Sequence, residues 1–572
     1  SLNSVLGAGI LLPDKPAVSD LYAYRNDSYS ASINQLYKLD KDRTLSFNVN
    51  YLYDQEKQNA TDESRYLLDD GTRYVIQESN QALVGQHFVG GHVAYKLNSS
   101  KSYLKNNLSV NASFPKNEGL VNDFVAQTLS GHSFLLSNVL KANYKKKNGG
   151  VADLEWKASF ADKRGVLNMS ETKMSQLLRQ RNFQSEATGS LLAFTIPHLM
   201  FNLNGKVMFD WQRVSAGLNS LSDASGSEQK TWLLGAFVSP KILLHFGNRL
   251  QWLVYVPVGV KYYHSADGSL DYDKRFFSTC PYSNLTYKPT GRLSFDLTTI
   301  CEESMPSVLS QMVLKHFVNY RTTMSNTHQV EIAPNRSVKL AFTSSYKDII
   351  KMLFGGVTLS YVDARNGNSM GYQVVDDVVN YIVQPQSTKN RVWQIEQTVS
   401  KGFFRWNSKI SESLSVGTSR SEYYVGGDCH DGRSDYLQAK ISYVASVRKW
   451  LNLSISNDYS VSKPYTDGKA SGEVYRTFMN ASSFTFWLGK QLNVVPSVQY
   501  YHNNYFSSGR NNVFLNTVME YYWGNATLSL KCTNLLDRRT FHRIIDNGIT
   551  RYSGEYQLRG RTILFGIRIK II

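Results

Sequence analysis

Leu45-Ser46-Phe47-Asn48-Val49-Asn50-Tyr51 decides how this chain folds. Every odd residue is apolar or aromatic and every even one is Ser or Asn. A period of two belongs to a β-strand with one greasy and one wet face, because successive side chains leave a pleated backbone on opposite sides. Residues 152–160 repeat the pattern, with Ala152, Leu154, Trp156, Ala158 and Phe160 alternating with Asp153, Glu155, Lys157 and Ser159. It returns at 201–211, 293–297, 338–342 and 437–447. At the C-terminal end Ile563, Phe565, Ile567, Ile569 and Ile571 alternate with residues that include Arg568 and Lys570.

A soluble sandwich alternates too, so turn placement has to discriminate. Short turns read at Lys41-Asp42, Asn98-Ser99-Ser100, Asn148-Gly149, Pro197-His198, Gly247-Asn248, Thr290-Gly291, Lys347-Asp348, Phe404-Arg405, Arg448-Lys449, Gly489-Lys490 and Gly524-Asn525. Between consecutive turns there is room for two membrane-length strands of about 10 residues and one long loop. This predicts an all-β fold, a large antiparallel transmembrane β-barrel of about 22 strands with short periplasmic turns and long extracellular loops. The terminal strand adds an odd member, so either one turn is misplaced or a partner strand lies upstream. Trp252, Trp450, Trp487 and Trp523 fall beside four of the turns, where an aromatic girdle belongs. Residues 1–572 are expected to form a single outer-membrane barrel domain.

Composition agrees. The chain is 42% hydrophobic yet holds no run of 18 apolar residues, which excludes a bundle of spanning helices. Four Cys exclude a disulfide scaffold, and no paired-Cys or His-Glu-x-x-His spacing offers a zinc site. The net charge of +17 is spread along the chain, with one cluster at Lys145-Lys146-Lys147, so nucleic acid is not the expected partner. Basic residues lining a lumen, loops or a lipopolysaccharide edge account for it more simply.

Two loop stretches look helical, residues 166–184 (Leu167, Met174, Leu177 and Leu178 on one face) and residues 308–317. Asp428-Cys429-His430-Asp431 gathers metal-capable side chains, but consecutive residues on a strand cannot all point at one ion, so it reads as a polar turn. His502, with Tyr500, Tyr501 and Tyr505, reads as solvated strand-end residues. Cys280 and Cys301 flank the turn Thr290-Gly291 symmetrically. Face parity places Cys280 inward and Cys301 outward, which predicts no disulfide between them. No Ser/His/Asp set stands at a recognisable spacing, so no catalytic residue, metal or cofactor is assigned and no ligand-binding residue can be named. Arg568 and Lys570 on the inward face would suit an anion, unless acidic neighbours such as Asp153, Glu155 or Asp296 pair with them.

Several segments resemble one family. Residues 284–297, then Met305-Pro306-Ser307-Val308-Leu309-Ser310-Gln311, then Val338-Lys339-Leu340-Ala341-Phe342 are similar to the central barrel of Bacteroidota TonB-dependent outer-membrane receptors with carboxypeptidase-regulatory-like N-terminal domains. Asn534-Leu535-Leu536-Asp537-Arg538-Arg539 and Tyr556-Gln557-Leu558-Arg559-Gly560-Arg561 resemble the element before the last strand, and residues 29–53 an early barrel segment. Two features depart from that pattern: Ala333-Pro334-Asn335-Arg336-Ser337 replaces an Asn-Pro-rich element, and the last residue is Ile572 rather than Phe. The resemblance implies import of a nutrient (siderophore, glycan or peptide) through a barrel gated by a plug domain. That plug would couple to the TonB complex, and a surface lipoprotein partner and outer-membrane lipid and lipopolysaccharide contacts are implied with it. Neither plug nor TonB-box is read upstream of Tyr29, so the chain is expected to be the barrel portion of a longer protein. The alternative is a passive pore or a structural barrel subunit of an outer-membrane complex.

Overall fold

The computed structural model describes residues 4–570 apart from 6–7, 13–17, 24, 69–70, 146–150, 172, 220–223, 268–270, 307, 309–310, 314, 327–332, 376, 426, 505–508 and 547–549. Its described regular structure is β-strand except for a short helix at Asp20–Ala23 and a single turn at Arg405–Asn407. The strands pair with their chain neighbours, antiparallel at each step around the wall. Arg25–Lys38 pairs with Arg43–Leu67, and that strand with Arg73–Asn98. The ladder continues round to Ala526–Thr533 and Thr562–Ile569. Two wall strands are interrupted midway, at 256–257 and at 280–281.

The expected short turns that fall in the described residues lie at one end of this wall, while Asn148-Gly149 lies outside them. Gly524 shows why such turns can be tight: Trp523 still pairs with Ala526, and the two-residue connection uses a φ of 55° at Gly524, cheap without a Cβ. The turn expected at Lys347-Asp348 is displaced to Ile349-Ile350-Lys351-Met352, because Asp348 still pairs with Leu353.

The seam between first and last strand has two parts. Thr550–Gln557, from the last long loop, pairs with residues 60–66 of Arg43–Leu67 and bridges the seam at the extracellular end. Below it Arg25–Lys38 and Thr562–Ile569 run in the same direction and share no ladder among the described residues. This is the odd member that the turn count left over.

The longer of the two helical expectations fails. Residues 166–184 belong to the strands Val151–Met169 and Met174–Ile196, joined by a short turn. Leu178 is buried while its neighbour Leu177 is 37% exposed, so adjacent leucines face opposite sides, as only a period of two allows. In 308–317 the described residues hold a single 3-10 turn at Gln311, whose N–H donates to the Val308 carbonyl at 3.1 Å, and the strand His316–Asn319 begins within the segment; residues 309, 310 and 314 lie outside the described residues. Residues 216–230 and 423–435, whose distance from the short turns marks them as extracellular loops, are mostly strand among the described residues. Arg43–Leu67 is 25 residues long and Arg73–Asn98 is 26, more than twice the ~10 that span a membrane. The wall therefore stands well above the bilayer as paired hairpins, and paired strands satisfy backbone groups that irregular loops would leave to water.

The outward face is the apolar one. Trp393 and Phe403 lie ten residues apart on the outside of Thr388–Phe403 and are 59% and 44% exposed. At ~3.3 Å per residue and ~40° tilt they are ~25 Å apart in height, the thickness of a barrel's lipid-facing band. Phe404, Trp406, Trp450 and Trp523 are exposed along the periplasmic edge, and Trp252 faces out beside Leu285. Trp487 is the exception. It pairs with Asn493, which pairs with Glu520, and it stacks on Tyr522, so parity turns it to the inner face. In the last strand Ile567 lies beside Leu528 and Phe565 beside Leu530, the row that contains Met519 and Tyr521 on the outer face. Arg568 takes the opposite side.

Leu285 lies opposite Leu297, which puts residue 302 rather than 301 across from Cys280, and both thiols are free.

The faces make a sharp prediction. Val357 is 40% exposed on the lipid side and Thr358 points into the lumen beside Thr343. Val357→Arg should cost ~2–4 kcal/mol and abolish the heat-modifiable folded band of the extracted protein on gels. Thr358→Arg should leave that band intact.

Candidate functional site: the mouth of the barrel

Above the membrane the inner faces of the strands carry little that is exposed. On Arg43–Leu67, Gln58, Ala60, Asp62 and Ser64 are buried in alternation, and on Arg73–Asn98, Glu78, Asn80, Ala82 and Val84. What covers them is the chain's own long connection between Leu293–Ser304 and Asn335–Asp348, folded inward.

Its course is set by side chains of the wall. Val308 and Met312 pack on Leu178, Val214 and Ala216. The Tyr263 hydroxyl donates to Gln311 Oε1 at 2.6 Å, and Gln311 Nε2 donates to the Pro306 carbonyl at 3.2 Å. Gln176 then grips the backbone of Phe317 twice, donating to its carbonyl at 2.8 Å and accepting from its N–H at 2.7 Å. The Phe317 ring packs against the cluster of Ile10, Ala82, Val84, Leu129 and Leu167. The hairpin His316–Asn319/Thr322–Asn326 finally pairs through its second strand, in parallel, with Val378–Gln384, a strand of the next long loop.

At its far end the connection is tied down electrostatically. Arg321 Nη2 lies 2.8 Å from Glu78 Oε2, with the two side chains only 8% and 2% exposed. The Tyr320 hydroxyl donates to the same carboxylate, and Arg321 also donates weakly to Ser64 Oγ at 3.5 Å. Burial pushes the Glu78 carboxyl above its usual range, against the pull of Arg321, and burial with the Glu78 charge raises the Tyr320 hydroxyl. Asp62 sits beside them, accepting from Asn80 Nδ2 at 2.8 Å and from the Tyr552 hydroxyl. Tyr552 belongs to the last loop, so two loops distant in sequence converge on one pair of wall carboxylates.

The N-terminal segment also lies inside. Tyr22 is fully buried, stacks on Phe514 at 4.3 Å and accepts from Asn516 Nδ2 at 2.6 Å. Beneath the root of the inward connection a lumen-facing cavity of about 630 Å³ is lined by Lys206, Met208, Lys261, Glu302 and Glu303, among others. Its charges are already matched: Lys261 Nζ is 2.7 Å from Glu303, Arg336 Nε 2.9 Å from the same carboxylate, and Lys206 Nζ 2.7 Å from Glu186.

The residues weighed in the sequence fall elsewhere. Asp428, Cys429, His430 and Asp431 open the strand Asp428–Arg448, and their side chains alternate between the two faces of the sheet. His430 Nδ1 lies 2.8 Å from Asp467. His502 and Tyr500 both contact Asn511 Oδ1, His502 Nδ1 at 2.8 Å and the Tyr500 hydroxyl donating at 2.8 Å. Tyr501 faces the other way onto Phe514 and Phe541. Tyr505 lies outside the described residues. Glu155 pairs with Lys141 and Lys157, and Asp296 accepts from Thr286, so neither turns to Arg568. Glu78, Asp62, Tyr320 and Arg321 were not singled out. A signal existed for the first two, which extend the polar inner stripe of their strands.

No family model matches the chain, and no curated protein matches it. Solved structures do. The outer membrane transporter YddB from Escherichia coli superposes with a TM-score of 0.53 at 9% identity, over 96% of this chain and 76% of that one. The ferric yersiniabactin uptake receptor FyuA from Yersinia pestis superposes with a TM-score of 0.50 at 11% identity, over 96% of this chain and 80% of that one. At such identities the likeness is one of fold, and the fold, with its outward apolar band, is that of an outer-membrane, multi-pass β-barrel.

Proposed function

We propose that the chain is the barrel of an energy-coupled outer-membrane importer of the TonB-dependent kind, without enzymatic activity, and that the inward hairpin His316–Asn319/Thr322–Asn326 is the extracellular gate of its lumen. The observation that carries the reading is the buried Arg321–Glu78 pair, which ties a loop from one side of the mouth to the wall strands Arg43–Leu67 and Arg73–Asn98. A passive pore has no use for such a tie. An importer must keep its mouth shut until a ligand arrives. The family-like segments at residues 305–311 and 534–539 support a Bacteroidota receptor with a nutrient cargo of the siderophore, glycan or peptide class. The cavity under the loop root joins apolar side chains such as Met208 and Phe237 to charged ones such as Lys206, Lys261 and Glu303, which suits a cargo with both apolar and polar parts.

The gate has a testable strength. Removing one partner of a buried ion pair leaves the other charge uncompensated and costs ~3–5 kcal/mol. Arg321→Ala should therefore free the loop and raise single-channel conductance in planar bilayers, with the folded band on gels unchanged. Gln176→Ala removes both bonds to Phe317 and should speed amide exchange across 316–326 by about tenfold or more. Unaltered conductance and exchange in both variants would mean that this loop is part of the static wall.

The import reading itself is tested in cells carrying the native protein. Uptake that collapses when the inner-membrane proton gradient is dissipated supports it. Flux indifferent to the gradient would favour the pore or structural-subunit alternative.

A further inference from the structure

The hairpin His316–Asn319/Thr322–Asn326 is held the way a bound peptide is held. Its second strand adds in parallel to Val378–Gln384, on the side of that strand not taken by Ser369–Val375. An extended peptide joins a sheet edge by the same pattern, with main-chain bonds giving affinity and side-chain pockets giving choice. The Val379 N–H donates to the Arg321 carbonyl at 2.8 Å, and the buried Thr323 donates from Oγ1 to Asn380 Oδ1 at 2.6 Å. The two residues before that strand, Tyr320 and Arg321, both reach Glu78 on the wall.

The wall pocket they enter is an unfavourable one to build. Asp62 and Glu78 stand directly opposite each other in the ladder between Arg43–Leu67 and Arg73–Asn98, and both are buried. Facing like charges destabilise a sheet, and a low dielectric strengthens their repulsion. A cation beside them is therefore strongly favoured, and in the closed mouth the gate supplies it as Arg321. The fit is incomplete. Arg321 Nη2 serves Glu78 and, weakly, Ser64, while Nε and Nη1 have no hydrogen-bond partner among the described residues. Asn80 is buried with its Nδ2 donating to Asp62, and its Oδ1 has no partner among the described residues either. A guanidinium fork and an acceptor beside it both stand with bonds unmade.

We infer, resting on the gate reading, that the hairpin is a tethered stand-in for the cargo, and that the cargo is an extended peptide carrying an arginine. The cargo arginine displaces Arg321 from the facing carboxylates, and the residues after it replace Thr322–Asn326 along Val378–Gln384. Ligand and gate compete for one surface, so binding and opening are a single event. A peptide without the tether can seat its guanidinium against Asn80 Oδ1 as well as the carboxylates. The planar fork of arginine serves several acceptors at once, where an ammonium is a point charge. Asp62 and Glu78 repel any anionic group from this pocket.

The probe is a fluorescein-labelled synthetic peptide copying residues 319–326, with citrulline in place of its arginine as the uncharged control. Titrated into the full chain in detergent and followed by fluorescence anisotropy, the arginine peptide should bind at least about tenfold more tightly than the citrulline peptide. Arg321→Ala should tighten the arginine peptide by about tenfold or more, because the competing occupant is gone. Saturating peptide should also speed amide exchange across 316–326 in the wild-type protein. Arginine and citrulline peptides that bind alike, or an Arg321→Ala variant with no gain of affinity, would overturn the inference. The two readings fail separately. Raised conductance in Arg321→Ala without any gain in peptide affinity leaves a gate that mimics no cargo, whereas unchanged conductance removes the gate itself. Should Arg321→Ala fail to fold, the comparison of the two peptides on the wild-type protein decides.

Discussion

A backbone that crosses hydrocarbon must satisfy all its own N–H and C=O groups, and everything else in this molecule answers to that demand. Among the described residues no helix is long and apolar enough to span, and paired strands carry the crossing. Each strand must find two neighbours, so the chain winds antiparallel with its sequence neighbours from Arg25–Lys38 to Thr562–Ile569. The seam is the place where this demand is met only in part among the described residues. Where the last strand and the first share no ladder, a hairpin from the final loop occupies the sheet position above Arg25–Lys38 on its partner strand.

A wall this wide creates a problem in its lumen, because its inner side chains cannot meet across it. The structure meets it from the extracellular end. Strands overshoot the bilayer, and their inner faces become the floor on which the connection 305–334 is laid. Apolar contacts at Leu178, Val214 and Leu129 supply area, while Gln176 and Gln311 fix position through backbone and side-chain hydrogen bonds. The charged tie at Glu78–Arg321 stands at the turn of the hairpin His316–Asn319/Thr322–Asn326. Its release would free the hairpin tip without stripping the packed root.

The faces of the strands were legible residue by residue. Leu45 through Tyr51 and the isoleucines of the last strand lie where their alternation puts them, whereas Cys280 and Cys301 have free thiols that interact across the interruption at 280–281, which simple parity did not foresee. Legibility fades where the contrast between faces fades. Above the membrane the outer residues of Arg43–Leu67 become Asn59, Thr61, Glu63 and Arg65, so both faces are polar and the period disappears. Residues 166–184 were misread there for that reason, since leucines at 167, 177 and 178 fit a helix stripe when no polar partner face opposes them. Trp487 was misread because nearness to a turn says nothing about parity.

By itself, the sequence determined which side of each strand meets lipid, where the chain reverses and that the whole is a barrel. These follow from local backbone geometry, a period of two and a few turn residues. Only the tertiary structure decided which residues stand side by side on neighbouring strands and which distant loops meet. Asp62 and Tyr552 are 490 positions apart, and Glu78 and Tyr320 are 242 apart. Arg391, Arg420 and Arg433 form a row because of the register between three strands. Register accumulates from every turn and bulge before it, and a loop folded inward is positioned by surfaces that exist once the wall has formed. Neither quantity is written in any local stretch of residues.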